Sequence, residues 1–181
     1  MSDNLYIATP MSRADIRNIT NSIRKLFGLH KELKFPLIEF VEFVMPKFID
    51  TEFYLEIVPK IEMPNFYAQA IPEEHKIILR EDVYIGILNG EPRSCFTLAH
   101  EIGHYILHRK ENILVLNRYD TGLNNIIPNY KKPEWQANTF AGELLVPHGK
   151  IINLTIPQIA IKCGVSLQVA QIQLNENKKG S

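Results

Sequence analysis

His100, Glu101 and His104 occur in the order H-E-x-x-H within the stretch TLAHEIGHYILHR. On an α-helix, residues four apart share a face at about 6 Å of rise, so two imidazoles at that spacing can converge on one zinc ion. Glu101 follows the first imidazole, turned about 100° round the helix. From there its carboxylate can reach a water on the metal without being a ligand. It would act as general base, while zinc lowers the pKa of the water and polarises a scissile carbonyl. A Gln at 101 could not take the proton. The plain alternative is a helix with surface histidines. The apolar residues Leu98, Ile102 and Ile106 around the motif favour a helix with a buried face and a working one.

A zinc peptidase site needs three protein ligands and one open position. His108 repeats the four-residue step, but it is eight residues from His100, about 12 Å along a straight helix. Zinc–nitrogen bonds of about 2 Å cannot bridge that gap. Chains that use a later histidine break the helix with glycine first, and HYILHR has none. His108 therefore reads as a polar contact of the helix end, where it also suits the dipole. Glu134, roughly 30 residues past His104, is the better third ligand. It stands in the first turn of a helix begun by Pro133, with Asn138 one turn later on the same face. Asn138 could orient a zinc-bound imidazole through its free ring nitrogen. Ala137 and Ala141 would let the two helices approach closely.

The elements that must hold these residues are legible around them. Ile16, Ile19, Ile23 and Leu26 predict an amphipathic helix ending near Gly28. PLIEFVEFVMPKF reads as a shorter helix, and TEFYLEIVP as a strand. NFYAQAIPEEHKIILRED reads as two strands joined by a turn at Pro72 to His75, followed by a loop, LNGEPRS. The pattern turns helical from about Pro92 to Arg109, loop-like over NRYDTGLNNIIPNYKK, and helical again over PEWQANTFAGELLV. Two short helices flank Gly164 in the tail. This order predicts an α+β fold.

Twenty basic residues balance twenty acidic ones, so no charge excess drives binding to nucleic acid or membrane. The tail IPQIAIKCGVSLQVAQIQL has helix-turn-helix spacing, but the would-be recognition helix from Leu167 to Asn175 has no Lys or Arg. A packing role is therefore expected rather than DNA binding. No apolar run reaches membrane-spanning length, and the N-terminus has no signal-peptide core. Cys95 and Cys163 form no C-x-x-C, which makes a reducing cytoplasm the simpler location. His30, His75 and His148 read as ordinary solvated residues.

CFTLAHEIGHYILH followed by EWQANTFAGELLVP resembles the ImmA/IrrE family of metallopeptidases, with the upstream NFYAQAIPEEHKIILRED similar to that family's hairpin. The resemblance covers roughly residues 10 to 175. It implies a zincin-like, gluzincin-type site with His100, His104 and Glu134 on Zn2+ and Glu101 as base. It implies a single metallopeptidase domain over 1–181, with a catalytic core at 10–150, a small antiparallel sheet, and a helical, helix-turn-helix-like hairpin at 151–175. It also implies a protein substrate, of which a helix-turn-helix transcriptional repressor encoded on a mobile element is the expected kind. One departure is Cys95, where the family often has a basic residue before the Phe of FTLAH; Arg93 lies two positions earlier. Tyr130 and Arg93 are candidates to contact substrate or oxyanion, though a surface or core role is preferred for each. The rival reading is a regulator-binding module, a toxin–antitoxin or phage-element component with a structural zinc site.

Overall fold

The computed structural model describes residues 5–109, 113–116 and 127–179. Helix α1 (Arg13–Leu26) starts at a reciprocal capping box between Ser12 and Asp15. It turns Ile16, Thr20, Ile23 and Arg24 inward, and the chain leaves it through Gly28, whose φ of +69° favours a residue without Cβ. Helix α2 (Leu37–Glu39) runs on as a wider π-helix, Phe40–Ile49. Pro46 lies inside it, and the wider turn suits a residue that has no N–H to donate and whose ring crowds the preceding turn.

Strands β2 (Tyr54–Val58), β3 (Ala68–Ile71) and β4 (Lys76–Arg80) form one sheet in the order β2-β4-β3. β3 and β4 are the expected hairpin, turned through Pro72–Glu74 and His75 at φ +56°. β2 lies parallel to β4 because residues 59–67 cross to the far edge and β4 returns into the gap. The fold is α+β, as the order of elements implies, but this sheet is mixed rather than antiparallel. A separate antiparallel pair joins β1 (Leu5–Ala8) to β5 (Ile113–Leu116), strands that short apolar runs did not announce.

The stretch after β4 is helix α3 (Glu81–Leu88), so the expected loop shrinks to residues 89–91, with Gly90 at φ +73°. Helix α4 (Pro92–Leu107) and helix α5 (Pro133–Leu145) each carry proline in the first turn. Of the loop expected over 117–132, residues 117–126 lie outside the described residues, and the rest includes the single turn Asn129–Lys131. Helices α6 (Ile156–Cys163) and α7 (Leu167–Lys179) flank Gly164, at φ +68°. No described helix is long and apolar enough to cross a membrane.

α4 and α5 form the centre of the core. Leu98, Ala99, Ile102 and Tyr105 are buried with Phe140, Ala141 and Leu144, alongside Ile16 of α1 and Ile77 and Leu79 of β4, and Ala137 is buried as well. The two helices cross at Gly103, where an added Cβ would stand 3.1 Å from Phe140 Cβ and 3.2 Å from Ala137 Cα. Polar fixings clamp α1 and the tail to α5. Glu143, 1% exposed, takes Arg13 and Arg17 at 2.9 Å each. Arg24 donates to the carbonyls of Leu144 and Glu32 at 2.8 Å and Leu33 at 3.0 Å. Burial pushes its pKa down to about 10. Gly142 leaves room for Gln173, and Arg13 also reaches Glu176 at 3.4 Å, so α7 is packed against α1 and α5.

Candidate metal centre

The α4 spacing stacks His100 over His104, with their Nε2 atoms 2.9 Å apart. α5 brings Glu134 to both: Oε2 is 3.4 Å from His100 Nε2, and Oε1 is 3.3 Å from His104 Nε2. Ligands on bonds of about 2.0 Å in a tetrahedron stand about 3.3 Å from one another, so these donor atoms can share a zinc-sized ion. Two imidazoles and one carboxylate are also a catalytic donor set, since they leave a fourth position open. Glu134 is 74% exposed, which keeps that side accessible.

The electrostatics suit a cation. Hydrogen bonds from His100 and then His104 hold the Glu134 carboxyl well below the usual carboxylate range. Burial alone would lower the His100 pKa, but the hydrogen bond to Glu134 and the charges of Glu101 and Glu134 outweigh it and raise the value.

Each imidazole is held on its far side. His100 Nδ1 is 3.1 Å from Asn138 Oδ1. His104 Nδ1 is 2.9 Å from His108 Nδ1, and His108 Nε2 is 2.9 Å from Gln136 Oε1. Gln136 Nε2 donates to the carbonyls of Thr9 and Tyr130, both at 2.8 Å. His108 is buried, and burial first of all pushes its pKa down to about 4, with the neighbouring histidines adding to the effect. His108 is thus a polar contact of the helix end, and a buried one. The repeated four-residue step from His104 was the signal for it; nothing in the sequence pointed to Gln136.

Glu101 is turned toward the sheet, and its Oε2 accepts from the Ala70 N–H at 2.7 Å. β3 is an edge strand. The Tyr67 carbonyl accepts from Arg80 N, and the register pairs Ala68 with Leu79 and Ala70 with Ile77. Bonded pairs alternate along an antiparallel ladder, so Ala68 and Ala70 turn their peptide groups to the outer edge, beside Glu101.

Arg93 lies exposed on the first turn of α4, its guanidinium 5.0 Å from the Tyr67 ring centroid, while Cys95 faces the core. Tyr130 is exposed at the ring, and what joins it to the centre is its backbone carbonyl. His75 is not an ordinary solvated residue. Its Nδ1 is 2.8 Å from Asp50 Oδ2 and its Nε2 is 3.3 Å from Glu52 Oε2. Different ring nitrogens serve the two carboxylates, as in an ion-paired histidine, although one donor atom from each of the three residues also lies within 4.8 Å of the others. Asp50 also accepts from the Tyr105 hydroxyl at 2.7 Å.

No curated protein matches the chain. The peptidase M78 model, described as the IrrE N-terminal-like domain, matches residues 61–175, well over half of the chain. That span holds β3, β4, α3, α4, α5 and nearly all of the tail.

Proposed function

The chain belongs to the IrrE N-terminal-like family of peptidases, and from that premise we propose a zinc-dependent endopeptidase of zincin type, with His100, His104 and Glu134 holding the ion and Glu101 moving the proton. The observation that carries this reading is the convergence of two Nε2 atoms and one carboxylate at 2.9 to 3.4 Å. Zinc, when bound, lowers the pKa of its water and polarises the scissile carbonyl. Glu101 then has a divided task. The Ala70 N–H steadies Oε2, which leaves Oε1 to take a proton from the attacking water and return it to the leaving amine. Asn138 keeps the His100 ring aimed at the ion. The outward peptide groups of Ala68 and the outward carbonyl of Ala70, whose N–H already serves Glu101, suit an extended substrate segment added alongside β3.

A helix-turn-helix transcriptional repressor is the substrate class we propose, on the resemblance of the motif pair to peptidases that act on such proteins. A reducing cytoplasm suits the two buried free cysteines. The test is zinc per chain in freshly purified wild type and Glu134→Ala, followed by mass spectrometry of repressors encoded beside the gene after incubation with the zinc-loaded protein. One zinc in the wild type, its loss in the variant and a single cut in a repressor are expected. A wild type that takes up no zinc when supplied with it overturns the reading.

A further inference from the structure

His108 and Gln136 are among the buried polar side chains of the protein, and neither is a donor to the convergent set. We propose that the backbone carbonyls of Thr9 and Tyr130 act through Gln136 and His108 to fix the tautomer in which His104 meets the metal, making Gln136 and His108 positioning residues. The inference rests on His104 being a ligand, as argued above.

The direction of every bond in the chain follows from what each atom can do. Carbonyl oxygens only accept, so the atom of Gln136 lying 2.8 Å from both Thr9 O and Tyr130 O is the amide nitrogen. The opposite orientation would set three oxygens against one another in a buried place. Gln136 Oε1 therefore faces His108 and accepts from it, which puts the hydrogen of His108 on Nε2. A neutral imidazole carries one N–H, so His108 Nδ1 offers a lone pair to His104 Nδ1, 2.9 Å away. His104 then carries a hydrogen on Nδ1, which leaves Nε2 as the nitrogen facing His100 and Glu134, where a metal would displace any second proton. The other tautomer of His104 would bring two lone pairs together at the His104–His108 contact and put a hydrogen where the metal must bind.

The two ligand histidines are thus oriented by unlike means. His100 relies on one exposed amide, Asn138, on the helix opposite. His104 is referenced to the backbone at two places outside α4. One is Thr9, just past β1; the other is Tyr130, in the turn before α5.

Imidazole nitrogen–proton NMR correlations on the metal-free full-length wild type test this directly. His108 is expected with its hydrogen on Nε2 and His104 with a hydrogen on Nδ1, and added zinc is expected to move the His104 Nε2 signal while leaving those two hydrogens in place. His108 found with its hydrogen on Nδ1 overturns the proposal. Zinc affinity by chelator competition gives the second readout. His108→Phe keeps the bulk without the acceptor and should lose roughly 10- to 100-fold. His108→Asn, whose carboxamide oxygen can stand where Nδ1 stood, should recover most of that loss. Equal affinity in wild type and His108→Phe refutes the positioning role. If His108→Phe does not fold, the wild-type spectrum decides alone. If the wild type binds no zinc, the peptidase reading fails, and the tautomers of His104 and His108 still report on the chain of bonds by themselves.

Discussion

Glu101 Oε2 lies 2.7 Å from the backbone nitrogen of Ala70, so the carboxylate next to the metal centre is anchored to the edge strand rather than to another side chain. Glu101→Gln can keep that anchor, because its amide oxygen still accepts from the Ala70 N–H. What it loses is the capacity to take a proton. We expect zinc content and unfolding midpoint at wild-type level and repressor cleavage reduced by at least ~100-fold, the low end for removing a general base. Cleavage near the wild-type rate would exclude Glu101 as the base.

Asn138→Ala removes the exposed partner of His100 Nδ1. The fold should be untouched, since alanine is the better helix former and no buried group is lost. Zinc affinity should fall by about 10-fold, the lower end for an outer-shell partner because water can replace the amide. Chelator competition measures it, and unchanged affinity would mean the His100 ring needs no such support.

Gly103→Ala tests the helix crossing. Its Cβ would sit 3.1 Å from Phe140 Cβ and 3.2 Å from Ala137 Cα, atoms that move only if α5 moves. Overpacking of ~1–3 kcal/mol exceeds the ~1 kcal/mol gained from helix propensity. A drop of a few degrees in Tm is expected, at about 2–4 °C per kcal/mol for a chain of this size. Weaker zinc binding should accompany it, because His100 and His104 ride on one helix and Glu134 on the other. A raised Tm would show that the crossing has slack.

His75→Asn separates an ion pair from backbone strain, because asparagine tolerates the positive φ of 56°. The hydrogen bond to Asp50, aided by the charges of Asp50 and Glu52 and opposed by burial and Arg109, raises the His75 pKa above its ordinary 6.5. That contribution is complete below 6.5 and is lost as pH rises through the raised value. Burial would raise the Asp50 pKa, but hydrogen bonds from Tyr105 and His75 hold it below its ordinary 3.8. Its share is therefore present above 3.8 and is lost in stronger acid. In urea unfolding, wild type should exceed His75→Asn by most between about pH 4.5 and 6, with the gap closing as pH rises through the raised His75 value. A gap that widens with pH would refute the pairing.

The parts of the fold that strong periodicity writes into the sequence were legible. α1, α4, α5, both tail helices and the β3–β4 hairpin stand close to where apolar spacing and turn residues put them. α3 was not, because VYIGIL is short and apolar throughout, with no polar face to betray a helical period. β1 and β5 stabilise each other only across a separation of more than a hundred residues, which no local pattern encodes. The parallel placement of β2 is likewise decided by where β4 inserts, after both earlier strands are made. At the candidate site, spacing alone brought His100, Glu101, His104, Glu134 and Asn138 into question together. Gln136, two residues beyond Glu134, looked like any helix-surface amide, since only the tertiary fold brings the Thr9 and Tyr130 carbonyls to it. Gly103 also went unremarked, although it fills one of the open letters of H-E-x-x-H. The proposed chemistry asks for His100, Glu101 and His104, and packing against Phe140 asks for the glycine just before His104.

Two of the three converging donors are on α4 and the third is on α5, about thirty residues later in the chain. A chain emerging during synthesis therefore has a pair of imidazoles long before it has a site. The third donor arrives only when α5 has been made and has packed against α4, by which time the core between the two helices has closed. On the proposed reading, a chain that ends before α5 carries two of the three donors and no hydrolytic centre.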